Sequence, residues 1–542
     1  MAPMFRTTLR VALLTMLAST LSSQKVAAAE AAGAPELNAA SAHFDILEFR
    51  VLGNHVLAPV AIERAVYSFL GPDRDISVVR RAADALEKAY KDAGYGTVFV
   101  DIPEQEVADG IVRLKVTEGR LDAVHVNGER YFSGREIRAA LPALEPGQTP
   151  NLPAVQQQLS ALNSRTADRS ITPILKAGPE PGTVDVDLAV KDVLPLHGSI
   201  EYDNRHTADT TPNRAAVALS YDNLWGRQDS IGVQYQTAPA RTSDARVLVA
   251  IYNGHVTGTE GTFGLSYINT HSDVLALGTL GVLGTGSIYG LHWQQPLTQD
   301  AVGSQSLNGG LDYKDVLTRV FPDQADGAAD ASVSAPVKYL NWSLQYAGGW
   351  RHDTHDLLLT AGLSFGVRSV INSTDQFENA RFNGAPGYLY LRLGLSANQI
   401  LPARFALRER FSSQWSDYPL VNNEQYSLGG ADTVRGYLEA ETLGDSGAAG
   451  SFELHSPPAR GWLGHLASPL YAFAFIDGGF ATIVNPLPSQ QRRTNLWSLG
   501  LGLRLESPTG LSGGLDWADP RVTGGRTQAG DERVDFTARY AF

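Results

Sequence analysis

The feature that most constrains the fold is a two-residue alternation of apolar and polar side chains, which is clearest at the C-terminus. One side of this terminal segment carries only apolar residues: Val534, Phe536, Ala538, Tyr540 and Phe542. The other side carries Asp535, Thr537 and Arg539. Such a period gives an extended strand one apolar face and one polar face. A barrel with lipid outside and water inside requires this pattern, so we predict an all-β transmembrane barrel over residues 195–542.

The alternation predicts about sixteen antiparallel strands, each about ten residues long. In the segment 498–505, leucine occupies every odd position, whereas the even positions hold serine, glycine and arginine. Hydrophilic segments such as 417–450 predict the long loops between strands. An even strand count is expected of a bacterial barrel.

The N-terminal residues 1–29 have the features of a secretory signal peptide. Arg6 and Arg10 precede an apolar segment, and Ala27-Ala28-Ala29 forms an A-x-A cleavage site. No later segment has the roughly 18 apolar residues of a membrane-spanning helix. The chain contains no cysteine, which fits passage through an oxidising periplasm. These features predict a location in a bacterial outer membrane.

Two smaller α+β units are predicted before the barrel, at 44–119 and 120–194, each with the element order β-α-α-β-β. Both begin with a strand that ends in a similar signature, RVLGN in the first unit and HVNGE in the second. In the first unit, Val78 and Leu86 belong to a helical repeat that Gly94 ends. The repetition favours two tandem domains over one irregular domain.

Composition and motifs exclude several classes of function. A net charge of −13 disfavours nucleic-acid binding, which requires a basic surface. Ser364 lies in a G-x-S-x-G pattern, but the surrounding segment continues as a strand, whereas a nucleophile elbow requires a strand–turn–helix. His352 and His355 form an H-D-x-H-D cluster with Asp353 and Asp356, which would allow metal ligation, but without further clustered ligands it favours a polar turn. We therefore predict no enzymatic activity, no catalytic residue, no cofactor and no metal site.

Two motifs carry a resemblance to a known family. They are, in chain order, Val434-Arg435-Gly436-Tyr437 and Phe475-Ile476-Asp477-Gly478-Gly479. With SIEYDNR near 199–205 and SYDNLWGRQDS near 220–230, they resemble the two-partner secretion transporters. These form the haemolysin and haemagglutinin secretion/activation family of the outer-membrane assembly superfamily. The first motif alone is unspecific, but both motifs in this order, behind two repeated units, are specific.

The resemblance implies that the two small units are periplasmic POTRA domains that receive an unfolded client. The barrel would export this client, a large, β-helical secreted exoprotein that is genetically linked to the transporter, and export would also allow its activation. Further implied partners are outer-membrane lipid and the barrel assembly machinery that inserts the protein. The segment 30–43 is shorter than the plug helix and linker common in the family. Either the lumenal loop alone obstructs this barrel, or a plug is absent.

The resemblance also implies that Arg435, at the tip of a loop folded into the lumen, reaches Asp477 on the wall. A guanidinium can bind a carboxylate through two parallel hydrogen bonds, which lysine cannot reproduce. Gly436 permits a tight tip, and Gly478 and Gly479 leave space for the loop at the wall. Without the resemblance, Arg435 would be interpreted as a solvated loop residue and Asp477 as an ordinary lumenal acid.

Strand alternation leaves two interpretations of the wall around Asp477. In one, Phe473 and Phe475 face lipid, and a bulge at the following glycines turns Asp477 inward. In the other, both phenylalanines face the lumen with Asp477, and Ala472, Ala474 and Ile476 face lipid. We prefer the second, because it gives the loop aromatic contacts as well as an ion pair.

Client docking is predicted on a strand edge, since an unpaired edge can add a strand of unfolded chain through backbone hydrogen bonds. The segment SITPILKAG of the second unit is the candidate, because the loop at 178–182 exposes its flank. The predicted contact residues are Ser170, Ile171, Ile174 and Leu175.

Two other functions stay open at this point. An assembly or insertion factor for outer-membrane proteins or lipids would share the Arg–Asp pairing, but such factors usually carry other numbers of POTRA domains. A diffusion porin would not need two periplasmic domains. Under the leading hypothesis transport is passive, and folding of the client outside the cell makes its return unfavourable.

Overall fold

The computed structural model describes most of the chain after residue 42. The described ranges are 43–107, 109–208, 210–256, 258–277, 280–299, 302–320, 333–368, 370–459, 470–488 and 490–542. The predicted signal peptide at 1–29 and nearly all of the segment 30–43 lie outside these ranges. The chain divides into two compact units, with the boundary between Leu194 and Pro195. No helix in the described ranges is long and apolar enough to cross a membrane.

The first half of the N-terminal unit contains a three-stranded sheet and two helices. Its elements are β1 (Phe44–Ile46), β2 (Glu48–Leu52), α1 (Pro59–Val66), β3 (Gly71–Arg74), α2 (Ile76–Asp92), β4 (Val98–Asp101) and β5 (Ile111–Glu118). The sheet has the order β2-β5-β4, with β2 parallel and β4 antiparallel to β5. Asp75 caps α2 by accepting the N–H of Val78.

This half has the predicted β-α-α-β-β order with one addition, because strands β1 and β3 form a further short pair. Strand β4 ends at Asp101, shortly before Pro103, which cannot donate to a sheet. Leu86, Tyr90 and Leu114 are fully buried in its core.

The second half repeats this arrangement around a hydrophobic core of its own. Its elements are β6 (Arg120–Asn127), α3 (Gly134–Ala139), α4 (Leu152–Ser164), β7 (Arg169–Ala177) and β8 (Thr183–Asp192). The sheet order β6-β8-β7 again combines one parallel and one antiparallel pair. Both halves also share an acid at the end of the central strand, Glu118 or Asp192, which accepts backbone N–H groups that follow the first strand of the sheet.

The C-terminal unit is dominated by long antiparallel strands. They are β9 (Leu196–Asp203), β10 (Arg214–Leu224), β11 (Asp229–Thr237), β12 (Ala245–His255), β13 (Thr262–Leu277), β14 (Leu280–Gln299), β15 (Gly303–Val320), β16 (Val333–Arg351), β17 (His355–Gly366), β18 (Leu389–Ile400), β19 (Ala406–Trp415), β20 (Tyr426–Leu428), β21 (Thr442–Gly444), β22 (Ser446–His455), β23 (Leu470–Thr482), β24 (Arg493–Glu506), β25 (Leu511–Pro520) and β26 (Arg533–Ala541). A short helix, α5 (Thr374–Ala380), lies between β17 and β18. All strands except β20 and β21 form one closed barrel of sixteen, which the pairing of β26 with β9 completes. The predicted count is confirmed.

Side chains of the wall alternate as the sequence predicts. On β24, Leu501 and Leu503 are 58% and 43% exposed, whereas Ser498 is buried. On β26, Val534 and Tyr540 point outward, whereas Asp535 is buried. The outer surface is therefore an apolar band that suits lipid.

The two sequence patterns that resemble a catalytic or a metal site lie in ordinary barrel structure. The G-x-S-x-G pattern with Ser364 is inside β17, with no strand-to-helix turn. His352 and His355 flank the tight turn between β16 and β17, where the N–H of His352 donates to the carbonyl of His355 at 2.8 Å.

Candidate functional site

The connection between β19 and β22, residues 416–445, is a hairpin folded into the barrel. Its strands β20 and β21 pair with each other and pack against β22 and β23. The predicted loop boundary at 450 is wrong, because the wall strand β22 already begins at Ser446. Small residues at this strand start resemble a loop in sequence. They are small because the hairpin lies against them: a Cβ on Gly447 would meet the ring of Tyr426 at 2.4 Å.

Arg435 and Asp477 form a buried two-pronged ion pair. Arg435 Nε lies 2.7 Å from Asp477 Oδ2, and Nη2 lies 2.9 Å from Oδ1. The backbone N–H of Arg435 donates to the same carboxylate at 3.1 Å. Both side chains are 1% exposed. The carboxylate is thus bound by the tip through three donors, and the contact predicted from the two motifs is present.

The wall around Asp477 has the second of the two arrangements considered above. Phe473 and Phe475 are buried, whereas Ile476 is 50% exposed on the outer surface. Strand β23 pairs with β22 in continuous register through Asp477, so no bulge is needed to turn the carboxylate inward. The guanidinium carbon of Arg435 lies 3.6 Å from the ring centroid of Phe475, a cation–π contact that also excludes water from the pair.

A second carboxylate, on Glu453 of β22, was not predicted. Arg435 Nη1 lies 2.8 Å from Glu453 Oε1. Glu453 also contacts Arg410 at 3.4 Å and His455 at 2.8 Å. The sequence feature that could have identified Glu453 is strand alternation: in the segment SFELH, every second residue, Ser451, Glu453 and His455, faces the lumen. The Ser451 hydroxyl accepts from Arg435 Nη2 at 3.0 Å.

Two glycines allow the tip to approach the wall. Gly436 has a φ of +89°, and a Cβ there would lie 3.1 Å from the Cβ of Ala518. A Cβ on Gly479 would lie 2.7 Å from Leu428 of the hairpin. Gly478 does not share this role, because strand alternation turns it away from the hairpin, and a Cβ there would make only an ordinary 3.5 Å contact with Trp497.

Val434 and Tyr437, the other side chains of the first motif, are both buried. Val434 is fully buried in a cluster that includes Tyr426, Leu428 and Leu496. The Tyr437 hydroxyl lies 2.7 Å from the carbonyl of Val522 and also accepts the Val522 N–H at 3.2 Å. These contacts hold the tip against the connection that follows β25.

Further acids of the hairpin bind backbone groups and were also missed. The Glu441 carboxylate accepts the N–H groups of Arg526 and Thr527 at 2.5 and 2.7 Å. The Asp445 carboxylate accepts the N–H of Val484 at 2.6 Å. In the sequence these acids are indistinguishable from solvated loop acids, since their partners are distant along the chain.

The predicted docking strand β7 lies at the edge of its sheet and pairs with β8 on one side. Ser170, Ile174 and Leu175 are exposed, the last two at 45% each. Ile171 is 3% exposed and packs in the hydrophobic core, because alternation turns it toward the helices. Its assignment as a client-contacting side chain is therefore wrong.

Part of the β7 edge is already occupied. The side-chain amide of Asn163 donates to the carbonyl of Ile171 at 3.0 Å and accepts its N–H at 2.9 Å. Backbone groups two residues apart in a strand point the same way, so those of Pro173, Leu175 and Ala177 share this outward direction. Proline has no N–H. The edge that can take another strand therefore centres on Leu175.

Comparison with known proteins identifies the family. A model described as Haemolysin secretion/activation protein ShlB/FhaC/HecB matches residues 182–505, more than half of the chain. The chain belongs to this family. A model of the ShlB-type POTRA domain matches residues 44–119. The family match decides between the functions left open above: the protein is an outer-membrane transporter of two-partner secretion, with its POTRA region in the periplasm.

Individual relatives agree with the family assignment. The outer membrane transporter CdiB of Dickeya dadantii (strain 3937) is 25% identical over 81% of this chain and 76% of its own length. The heme/hemopexin transporter protein HuxB of Haemophilus influenzae (strain 86-028NP) is 19% identical over 74% and 71%.

Two solved structures share the fold. CdiB from Escherichia coli matches with a TM-score of 0.62 and 20% identity over 94% of this chain and 93% of that chain. BamA from Haemophilus ducreyi lacking POTRA domains 1-3 matches with a TM-score of 0.54 and 14% identity over 92% and 100%.

Proposed function

We propose that this transporter recognises an unfolded, secreted exoprotein through its periplasmic units and passes it through the barrel lumen. The observation that carries this proposal is the buried Arg435–Asp477 pair at the tip of a hairpin inside the barrel. A hairpin held by ion pairs and hydrogen bonds can be displaced without breaking the wall, because the sixteen wall strands close without it. Displacement would open a path for an extended chain.

We propose a domain organisation of two POTRA domains, 44–119 and 120–194, followed by the barrel at 195–542. The second assignment is supported by the repeated element order and by the shared acid at the end of each central strand. Outer-membrane lipid would contact the apolar band of the barrel, and the barrel assembly machinery would insert it. Transport would be passive, with no catalytic step, and client folding outside would give it direction.

The client would dock on β7 of the second unit by adding a strand at Leu175, beside the exposed side chains of Ser170 and Ile174. Main-chain hydrogen bonds give such docking its affinity with little dependence on the client sequence. The flanking Asn163 contact and Pro173 limit the length of the edge, which protects the strand from pairing with a second copy.

Deletion of residues 30–193 tests the role of the periplasmic units. The truncated barrel should still insert, because its strands pair only with one another, yet it should export no client. Insertion is measured by the heat-dependent shift of the folded barrel in gel electrophoresis, and export by the amount of exoprotein in the medium. Normal export by the truncated protein would contradict docking on these units.

Substitution of Leu175 tests strand addition directly. Leu175→Pro removes an outward N–H that β8 does not use, so the domain should fold while export falls several-fold. Leu175→Ala removes the side chain but keeps the N–H, and it serves as the matched control with a smaller expected loss. Equal export by both variants, measured at equal outer-membrane levels, would exclude backbone pairing at this residue.

A further inference from the structure

The start of the lumenal hairpin carries a buried acid that is separate from the Arg435 site. Glu424 is 1% exposed, and its Oε1 lies 2.5 Å from Nζ of Lys314 on β15. The hydroxyls of Tyr339 on β16 and Tyr390 on β18 donate to this carboxylate at 2.6 and 2.7 Å. One cation and two hydroxyls therefore surround a single carboxylate, which satisfies its charge away from water.

The wall strands that bind Glu424 differ from those that bind Arg435. In the order of the barrel, β15, β16 and β18 lie six, five and three strands from β23. The hairpin is therefore attached to the wall at two separate places. Its two polar attachments share no residue, so loss of one leaves the contacts of the other intact.

Asp445 links the two ends of the hairpin near this base. Its carboxylate accepts the N–H of Leu420 at 2.8 Å and the side-chain amide of Gln425 at 3.0 Å. It also accepts from Val484 N at 2.6 Å and from Arg381 at 3.2 Å. Arg381 directly follows α5, so the connection between β17 and β18 covers the base. These contacts fix the backbone beside Glu424 and thereby aim its side chain at Lys314.

We propose that Glu424 is a second anchor of the lumenal hairpin, which must release Lys314 before the lumen can open fully. This inference rests on the proposed role of the hairpin as the obstruction of the pore. Glu424 holds the base against β15, β16 and β18, while Arg435 holds the tip against β22 and β23. A client that displaces the tip alone meets a hairpin whose base is still attached to the wall, so the two anchors restrict leakage in the resting state.

Ion conductance of the purified full-length protein in planar lipid bilayers tests the proposal without a client. Glu424→Gln keeps the shape of the side chain and removes its charge, and it should raise the conductance several-fold. The exchanged pair Lys314→Glu with Glu424→Lys should return to low conductance. Asp229→Asn is the matched control, because the buried Asp229 carboxylate is bound within the wall by the Tyr252 hydroxyl and the N–H of His255, and its conductance should equal that of the unchanged protein.

Cross-linking supplies a second measurement that does not depend on the charge variants. The chain has no cysteine, so Lys314→Cys with Glu424→Cys provides one reactive pair. This variant should leak, and a short bis-methanethiosulfonate reagent, which forms a disulfide with each cysteine and releases methanesulfinate, should restore low conductance until reductant is added. A structural role elsewhere in the barrel would not be rescued by this link.

The outcomes separate the second anchor from the obstruction itself. If Arg435→Ala raises the conductance, but neither Glu424→Gln nor the uncross-linked cysteine pair does, the second anchor alone is overturned. Unchanged conductance of Arg435→Ala as well would overturn the obstruction by the hairpin. The Glu424–Lys314 contact is also rejected as an anchor if the exchanged pair leaks as much as Glu424→Gln and cross-linking has no effect on the conductance.

Discussion

Replacement of Arg435 with alanine is expected to nearly abolish export of the secreted partner while the barrel stays inserted. The substitution leaves the carboxylate of Asp477, which is 1% exposed, without its cation. Breaking a buried pair in this way costs about 3–5 kcal/mol. A cost of about 3 kcal/mol shifts the balance roughly a hundredfold from the seated to the displaced tip. Export should fall because the transport cycle needs both states: the client displaces the tip, and the tip must then return to its seat. Exoprotein in the medium, relative to transporter in the outer membrane, measures the effect.

Two further variants show whether the geometry of the guanidinium or its charge is responsible. Arg435→Lys keeps the charge but cannot form both parallel hydrogen bonds, so it should export poorly. Arg493→Ala removes an exposed arginine that stacks on Phe480 at 4.0 Å, and it should export normally. Normal export by Arg435→Ala, or equal losses in the Arg435 and Arg493 variants, would contradict a specific role of the pair.

Gly436→Val is expected to impair export about as strongly, although it removes no charge. The residue has a φ of +89°, and its added Cβ would lie 3.1 Å from Ala518 Cβ and 3.3 Å from Pro520 Cδ. A β-branched residue rarely adopts a positive φ, and the backbone strain alone costs about 1–2 kcal/mol. The tip would then withdraw from the wall and take Arg435 with it. Export is measured as for the arginine variants.

The matched control is the same substitution at Gly478. That residue faces away from the hairpin, and its added Cβ would make an ordinary contact at 3.5 Å. Gly478→Val should therefore export nearly as well as the unchanged protein. Full export by Gly436→Val would show that the tip does not need to seat closely against β25.

The barrel could be predicted from the sequence because it depends on a local pattern, and one polar contact could be predicted because two motifs resemble those of a family. Lipid outside and a polar lumen inside impose a two-residue period on each strand. This period shows how many strands there are and which side chains face lipid, even when the pairing of the strands is unknown. The same parity selected the arrangement in which Phe475 and Asp477 share the lumenal face. The Arg435–Asp477 contact followed from two motifs whose resemblance to a family supplied the long-range information.

Only the tertiary structure revealed which other charged residues are anchors. Glu424 and Lys314 are 110 residues apart, and neither differs in local sequence from an ordinary loop acid or lumenal lysine. Ile171 was predicted to contact the client because the sequence indicates that the flank of β7 is exposed. The sequence does not show that helices cover one face of that strand. Whether a charged side chain is buried and paired depends on residues that the fold places beside it from distant strands. The local sequence around the charged residue contains no information about those residues.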